Sequence, residues 1–217
     1  MSTTSLAGPP GGSAPLPMGR LIFVPALITL AVTVLRLVGE LQNWSPRFFS
    51  REAGGAGAII GIVWLVPVFG VYFALKLARA GEGPSSLGAA IGLALAGLLV
   101  IPATVAISRA LGLKMPVIVA VFGVMSLAGL TLAWRGWPAL GRTLFAYALA
   151  ARVPVAALML IAILARWGTH YEKGPPSFPA MGAVATWFWI AFTVVVGCLF
   201  GGIAAAVALR GRRPATV

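Results

Sequence analysis

The stretch TLFAYALAARVPVAALMLIAILA, residues 143–165, decides the fold. It runs 23 residues with a single charge, Arg152, near its centre. At about 1.5 Å of rise per residue, some twenty residues of α-helix cross the ~30 Å hydrocarbon core of a bilayer. A segment this apolar has no polar face to offer water. In lipid its backbone must be hydrogen-bonded within the segment, which selects a helix over an open strand.

Working outward, five more runs have the same character. They cover residues 21–35 (continuing through 36–40), 53–75, 85–108, 115–134 and 181–209. Basic residues close most of them: Lys76 and Arg79, Arg109, Arg135, and Arg210 with Arg212 and Arg213. None alternates polar and apolar residues with period two, so a β-barrel is not expected. The prediction is an all-α integral membrane protein, a six-transmembrane-helix bundle over residues 20–210. Residues 1–19 are Pro/Gly/Ser-rich and uncharged, and are expected to be a disordered tail rather than a cleaved signal. Residues 211–217 read as a basic cytoplasmic tail.

Composition agrees. Of 217 residues, 60% are hydrophobic and 9% charged, against about 25% charged in an ordinary soluble domain. The chain has no Asp, four Glu, one His and one Cys. Those counts exclude Asp-rich Mg²⁺ sites, multi-His metal or haem sites, a Ser-His-Asp triad and an internal disulfide. No metal and no cofactor are expected, and enzymatic activity is not the favoured reading. The net charge of +12 does not point to nucleic acid, because the cations sit at the ends of apolar runs. There they snorkel to anionic lipid headgroups. Thirteen Arg against three Lys, with abundant Ala and Gly, suggest a bacterial inner membrane as the location.

Six spans put both termini on one side. With that side cytoplasmic, the inner flanks hold eight basic residues and the outer flanks six, with Arg36 and Arg152 left within the membrane zone. The margin and the Arg-rich tail favour N-in, C-in. Trp44, Trp167, Tyr171, Trp187 and Trp189 then fall near the outer boundary, and Trp134 and Trp137 near the inner one. A weak echo at an offset of 87 residues matches Val66-Pro67-Val68 to Val153-Pro154-Val155. It raises a 3+3 inverted repeat, in which Pro-broken helices in matching positions mark a transport site.

Arg152 is the most informative residue. A midplane Arg costs at least ~2.5–3.5 kcal/mol on insertion scales, so it must face the bundle interior, water or a partner. Pro154 frees the carbonyl of Ala150, and that carbonyl or Tyr147 could accept from Arg152. Glu52, Glu82 and Glu172 fall in loops and Glu40 at the end of the first helix, so no carboxylate is expected at the depth of Arg152. Three uses stay open: a structural cation, an anion or lipid site, and a contact with another subunit. Arg36 and Glu40 are four apart and can pair along one helix face. His170, Tyr171 and Glu172 place a base beside an acid, though on a loop expected to be solvated. Gly57/Gly61, Gly88/Gly92 and Gly197/Gly201 have the small-xxx-small spacing that lets helices approach closely.

The function this supports is a small-solute transporter or channel-like protein, with anions among the candidate solutes. Its candidate site is Arg152, Tyr147, Pro154, Pro67, Arg36 and Glu40. The alternative is a non-catalytic accessory subunit of a larger membrane complex. Expected partners are membrane lipids, including anionic headgroups, and other membrane subunits or further copies of the chain.

Overall fold

A computed structural model describes residues 17–49, 63–171 and 178–210, with side chains in the last helix from Thr186 onward. Residues 1–16 of the expected N-terminal tail, the C-terminal tail 211–217, the run 53–62 with Gly57 and Gly61, and the loop residues Arg51, Glu52, Glu172 and Lys173 lie outside the described residues, whereas Met18 and Gly19, expected to belong to the disordered tail, open the first helix. Among the described residues there are six helices and no strand: α1 Met18–Leu41, α2 Leu65–Arg79, α3 Leu87–Ala110, α4 Met115–Gly136, α5 Pro138–Ala165 and α6 Phe178–Arg210. Five are long and apolar enough to cross a membrane: α1, α3, α4, α5 and residues 186–210 of α6. The sixth, α2, is described over 15 residues.

Local chemistry sets the boundaries. The Ser86 hydroxyl caps α3 by accepting from the Ala89 N–H at 3.3 Å. Pro116 and Pro138 sit in the first turns of α4 and α5, where a missing N–H costs nothing. Arg166 ends α5 in the left-handed region at φ 52°. The Trp137 indole N–H donates to the Glu82 carbonyl at 2.7 Å, tying the α4–α5 junction to the loop before α3. Within the spans, hydroxyls donate to the carbonyl four residues back: Thr104 to Val100, Ser126 to Phe122, Thr143 to Ala139 and Thr193 to Trp189. A Thr or Ser satisfied on its own helix can enter lipid without a partner helix.

The helix α6 is the hub. It packs against α2, α3, α4 and α5, and 67% of its spanning window is buried, against 33% or less in the other four. Glycines permit this. A Cβ on Gly70 of α2 would stand 2.5 Å from the Gly197 carbonyl oxygen of α6, and one on Gly201 would stand 2.7 Å from the Gly70 oxygen. The most extensive pairing, α3 with α4, turns on Gly97 and Gly129, where a Cβ on either would meet the other's carbonyl oxygen at 2.5–2.7 Å. By contrast, a Cβ on Gly88 or Gly92 would have nothing within 4 Å, so that small-xxx-small pair is not a helix contact. The core these seams enclose includes Phe73, Leu140, Leu144, Tyr147, Val194 and Val195.

The helix α1 lies outside this hub and packs chiefly on α5. Beyond it, Trp44 to Phe49 fold back: Phe49 covers Gly39 and meets Trp44 edge-on at 5.4 Å. Pro67 stands in the first turn described for α2, whereas Pro154 lies well inside α5. The matched triplets also face differently. Val66 is buried and Val68 exposed, while Val153 is exposed and Val155 buried.

Candidate functional site

The buried face of α1 is polar. Thr29, Thr33, Arg36 and Glu40 are all buried, and their spacing of four, three and four keeps them on one stripe of a helix. The stripe meets α5 and the segment after it. Thr33 donates to the Thr29 carbonyl at 2.8 Å, and Thr29 donates to the Pro25 carbonyl at 2.9 Å. Tyr147 of α5 stands 2.7 Å from the Thr29 hydroxyl. Because the Thr29 proton goes to Pro25, Tyr147 is the donor in that contact. Higher up, the Tyr171 hydroxyl donates to the Thr33 carbonyl at 3.3 Å. A column of hydroxyls and carbonyls thus fills the α1–α5 seam.

At mid-depth the column borders Arg152. This residue lies near the middle of α5, about 20 Å from either helix end at about 1.5 Å per residue. Its guanidinium carbon is 4.6 Å from the centroid of the Trp189 ring of α6. Trp189, expected at the membrane boundary, is therefore a deep residue, with Phe188 and Phe192 around it. A desolvated cation–π contact contributes about 2 kcal/mol or more, enough to offset most of the insertion cost on the lower scales. Among the described residues Arg152 makes no ion pair and no hydrogen bond to a side chain. The expected donation to the Ala150 carbonyl or to Tyr147 is not formed.

A cleft of about 20 Å³ opens beside it, lined by Thr29, Val66, Tyr147, Arg152, Trp189 and Thr193 among others. That volume suits roughly one water-sized body. The hydroxyl protons here are already committed: Thr29 to Pro25, Tyr147 to Thr29, Thr193 to Trp189. Among the described side chains of the cleft, the remaining donors are the N–H groups of Arg152 and the indole N–H of Trp189. Val66 and Ala151, neighbours of Pro67 and Pro154, also line it, so α2 and α5 share this cleft although neither proline does.

Arg36 and Glu40 form a separate cluster toward the end of α1. Arg36 Nε donates to Glu40 Oε1 at 3.1 Å. Glu40 is fully buried and accepts from the His170 backbone N–H at 3.0 Å through Oε2. The imidazole Nδ1 of His170 stands at ion-pair distance from Oε1, although the approach lacks hydrogen-bond geometry. Arg36 Nη2 and Thr169 Oγ1 are buried with no hydrogen-bond partner. Tyr171 is buried with Leu37, Val155 and Ala162. Burial pushes its phenol up to about 12; Glu40 also raises it, and the nearby Arg36 and Arg152 oppose. The phenol therefore stays protonated at neutral pH and remains a donor.

Of the six site residues read from the sequence, the fold joins Arg152 and Tyr147 in one cleft and Arg36 and Glu40 in another cluster, with Tyr171 between. Sequence reasoning missed His170 as the partner of Glu40, 130 residues away, and Trp189 as the partner of Arg152. For the α1 stripe a signal existed, since Thr29, Thr33, Arg36 and Glu40 recur at helical spacing. Comparison with known protein families, curated proteins and solved structures found no match.

Proposed function

We propose that the protein is a six-span membrane transporter or channel-like protein for a small monovalent anion, with Arg152 as its midplane site. One observation carries this: a guanidinium at mid-depth stands 4.6 Å from the Trp189 ring and lines a cleft whose hydroxyl protons are already committed. Five N–H donors need acceptors, and an anion supplies them along with the missing counter-charge. The roughly water-sized cleft favours an inorganic ion over an organic acid. Tyr147 positions the cleft wall by holding α5 to Thr29 of α1. Arg36 and Glu40 hold the end of the same seam. An inverted relation between the two halves adds nothing to this reading, because the two Val-Pro-Val triplets turn opposite valines inward.

In this reading the chain sits in a bacterial inner membrane with both termini in the cytoplasm, among anionic lipids that its terminal arginines contact. Reconstituted in vesicles, it is expected to conduct chloride or nitrate down a gradient. Arg152→Leu should lower the flux at least about tenfold, the equivalent of losing about 1.4 kcal/mol of anion stabilisation. Arg152→Lys should fall between, since it keeps the charge and loses the planar fork. If Arg152→Leu folds and conducts like the wild type, the anion site is wrong; if the wild type itself conducts no anion, the accessory-subunit reading takes its place.

A further inference from the structure

We infer that Glu40 and His170 form a proton-uptake site at the end of the bundle where α1 stops. In it the imidazole exchanges protons with the aqueous phase at Nε2 and with the buried carboxylate at Nδ1. The site lies in a different cluster from Arg152 and stands whether or not the protein carries an anion.

The close approach is attractive only with a proton on one of the two groups. Nδ1 of His170 is buried against Oε1 of a carboxylate that is itself fully buried. An unprotonated Nδ1 would bring its lone-pair density against a carboxylate oxygen, and the contact would repel. A proton on Nδ1 makes it attractive in either the neutral or the cationic ring. The backbone N–H of His170 holds the other oxygen, Oε2, at 3.0 Å, so the loop grips the carboxylate through both nitrogens of one residue. The ring itself keeps 18% of its side-chain surface open, and none of that belongs to Nδ1. Nε2, on the opposite edge, is the nitrogen left for solvent. The imidazole thus bridges water and a buried acid.

The groups around it leave these two to titrate. Arg36 faces Glu40 from α1 and keeps its charge. The Tyr171 ring, from the following position of the same loop, stands 3.9 Å from the imidazole at a 43° tilt, and its phenol holds its proton. Arg152 of α5 acts on the Tyr171 phenol and makes no ion pair with Glu40. Starting from a neutral Nδ1–H ring and an ionised Glu40, one proton enters at Nε2. The imidazolium then passes its Nδ1 proton to Oε1. The products are a neutral Nε2–H imidazole and a neutral carboxylic acid, and the charge of the pair has risen by one. Arg36, whose Nη2 already lacks a partner, loses its counter-charge in that step.

His170 is the sole histidine of the chain, which makes the test clean. The full chain, labelled with ¹⁵N-histidine and carboxyl-¹³C-glutamate, is placed in lipid nanodiscs and titrated by NMR. The expected result is an Nδ1–H tautomer at alkaline pH, with one glutamate carboxyl shifting over the same pH interval as the imidazole. Glu40→Gln should return the ring to the Nε2–H form that free histidine prefers. An Nε2–H ring in the wild type, or an imidazole that titrates with no carboxyl response, overturns the proposal even if Glu40→Gln does not fold. The spectra need no transported ion, so a chain that conducts no anion and a chain that takes up no proton here are separate failures.

Discussion

Two kinds of seam hold this bundle together by opposite means. Between α1 and α5 with the segment after it, the contact is made by what the side chains offer: Thr29 with Tyr147, Thr33 with Tyr171, and Glu40, paired to Arg36 on its own helix, with His170. Between α2 and α6, and between α3 and α4, it is made by what is missing, the side chains of Gly70, Gly197, Gly201, Gly97 and Gly129. Lipid tails are as apolar as a leucine, so helices there associate through close packing and through hydrogen bonds rather than by hiding from water. The glycine seams use the first device and the polar seam the second. They should therefore fail differently. A polar seam suffers when one partner is removed and recovers when both are. A glycine seam has no second partner to remove.

The largest expected effect belongs to the buried ion cluster. Glu40→Ala strands Arg36, and breaking a buried pair from one side costs about 3–5 kcal/mol. Replacing both, Arg36→Met with Glu40→Leu, should restore stability to within about 1.5 kcal/mol of wild type or exceed it, because the desolvation penalty goes too. Thermal unfolding in detergent measures both, and a double variant no more stable than Glu40→Ala would break the distinction between the seams.

Gly70→Val comes next. Its Cβ would press on the Gly197 backbone at 2.5 Å, and backbone cannot rotate away, so a loss of about 1–3 kcal/mol or more is expected. A second-site Gly197→Ala should deepen the loss instead of rescuing it. A Gly70→Val protein that melts with the wild type would show that α2 and α6 can slide apart at no penalty.

Tyr147→Phe removes one hydrogen bond from the polar seam, a loss of about 1 kcal/mol, visible as a small drop in the unfolding midpoint. An unchanged midpoint would mean that the Thr29 contact adds nothing to holding α1. The smallest effect sharpens the contrast from the other side. Gly88 has open space where a Cβ would go, so Gly88→Ala should leave stability unchanged or raise it by under about 1 kcal/mol. A marked loss would mean that Gly88 touches something outside this chain.

Hydropathy is local, and what it reports was legible. The run 115–134 falls inside α4, and 85–108 lies within two residues of α3 at each end. The isolated charge of Arg152 singled out a half-buried residue that lines a cleft, for an energetic reason that needs no neighbours. Pairings across the bundle were not legible, since no local pattern tells Glu40 that His170 will close over it. The spacing of the glycines misled in part. Gly88/Gly92 and Gly197/Gly201 share a pattern, yet only the second pair meets a neighbouring helix, and the Gly97–Gly129 contact joins two helices with no motif to announce it. Which face of a helix turns inward is decided by its partners, and those lie elsewhere in the chain.

The central position of α6 bears on how the bundle is made. Of the described helices it is the last to leave the ribosome, yet α2, α3, α4 and α5 all rest against it. Insertion and association are separate stages for membrane helices. The earlier helices therefore wait in the bilayer with Gly70 bare and with the core faces of Phe73, Leu140 and Leu144 bathed in acyl chains. During that interval α3 has α4 and α1 has α5, and α5 also touches α2 and α4, but the hub that joins them is absent. A pause in translation before residue 178 holds the chain without that hub. That intermediate is the state in which a quality-control protease or a chaperone would meet it.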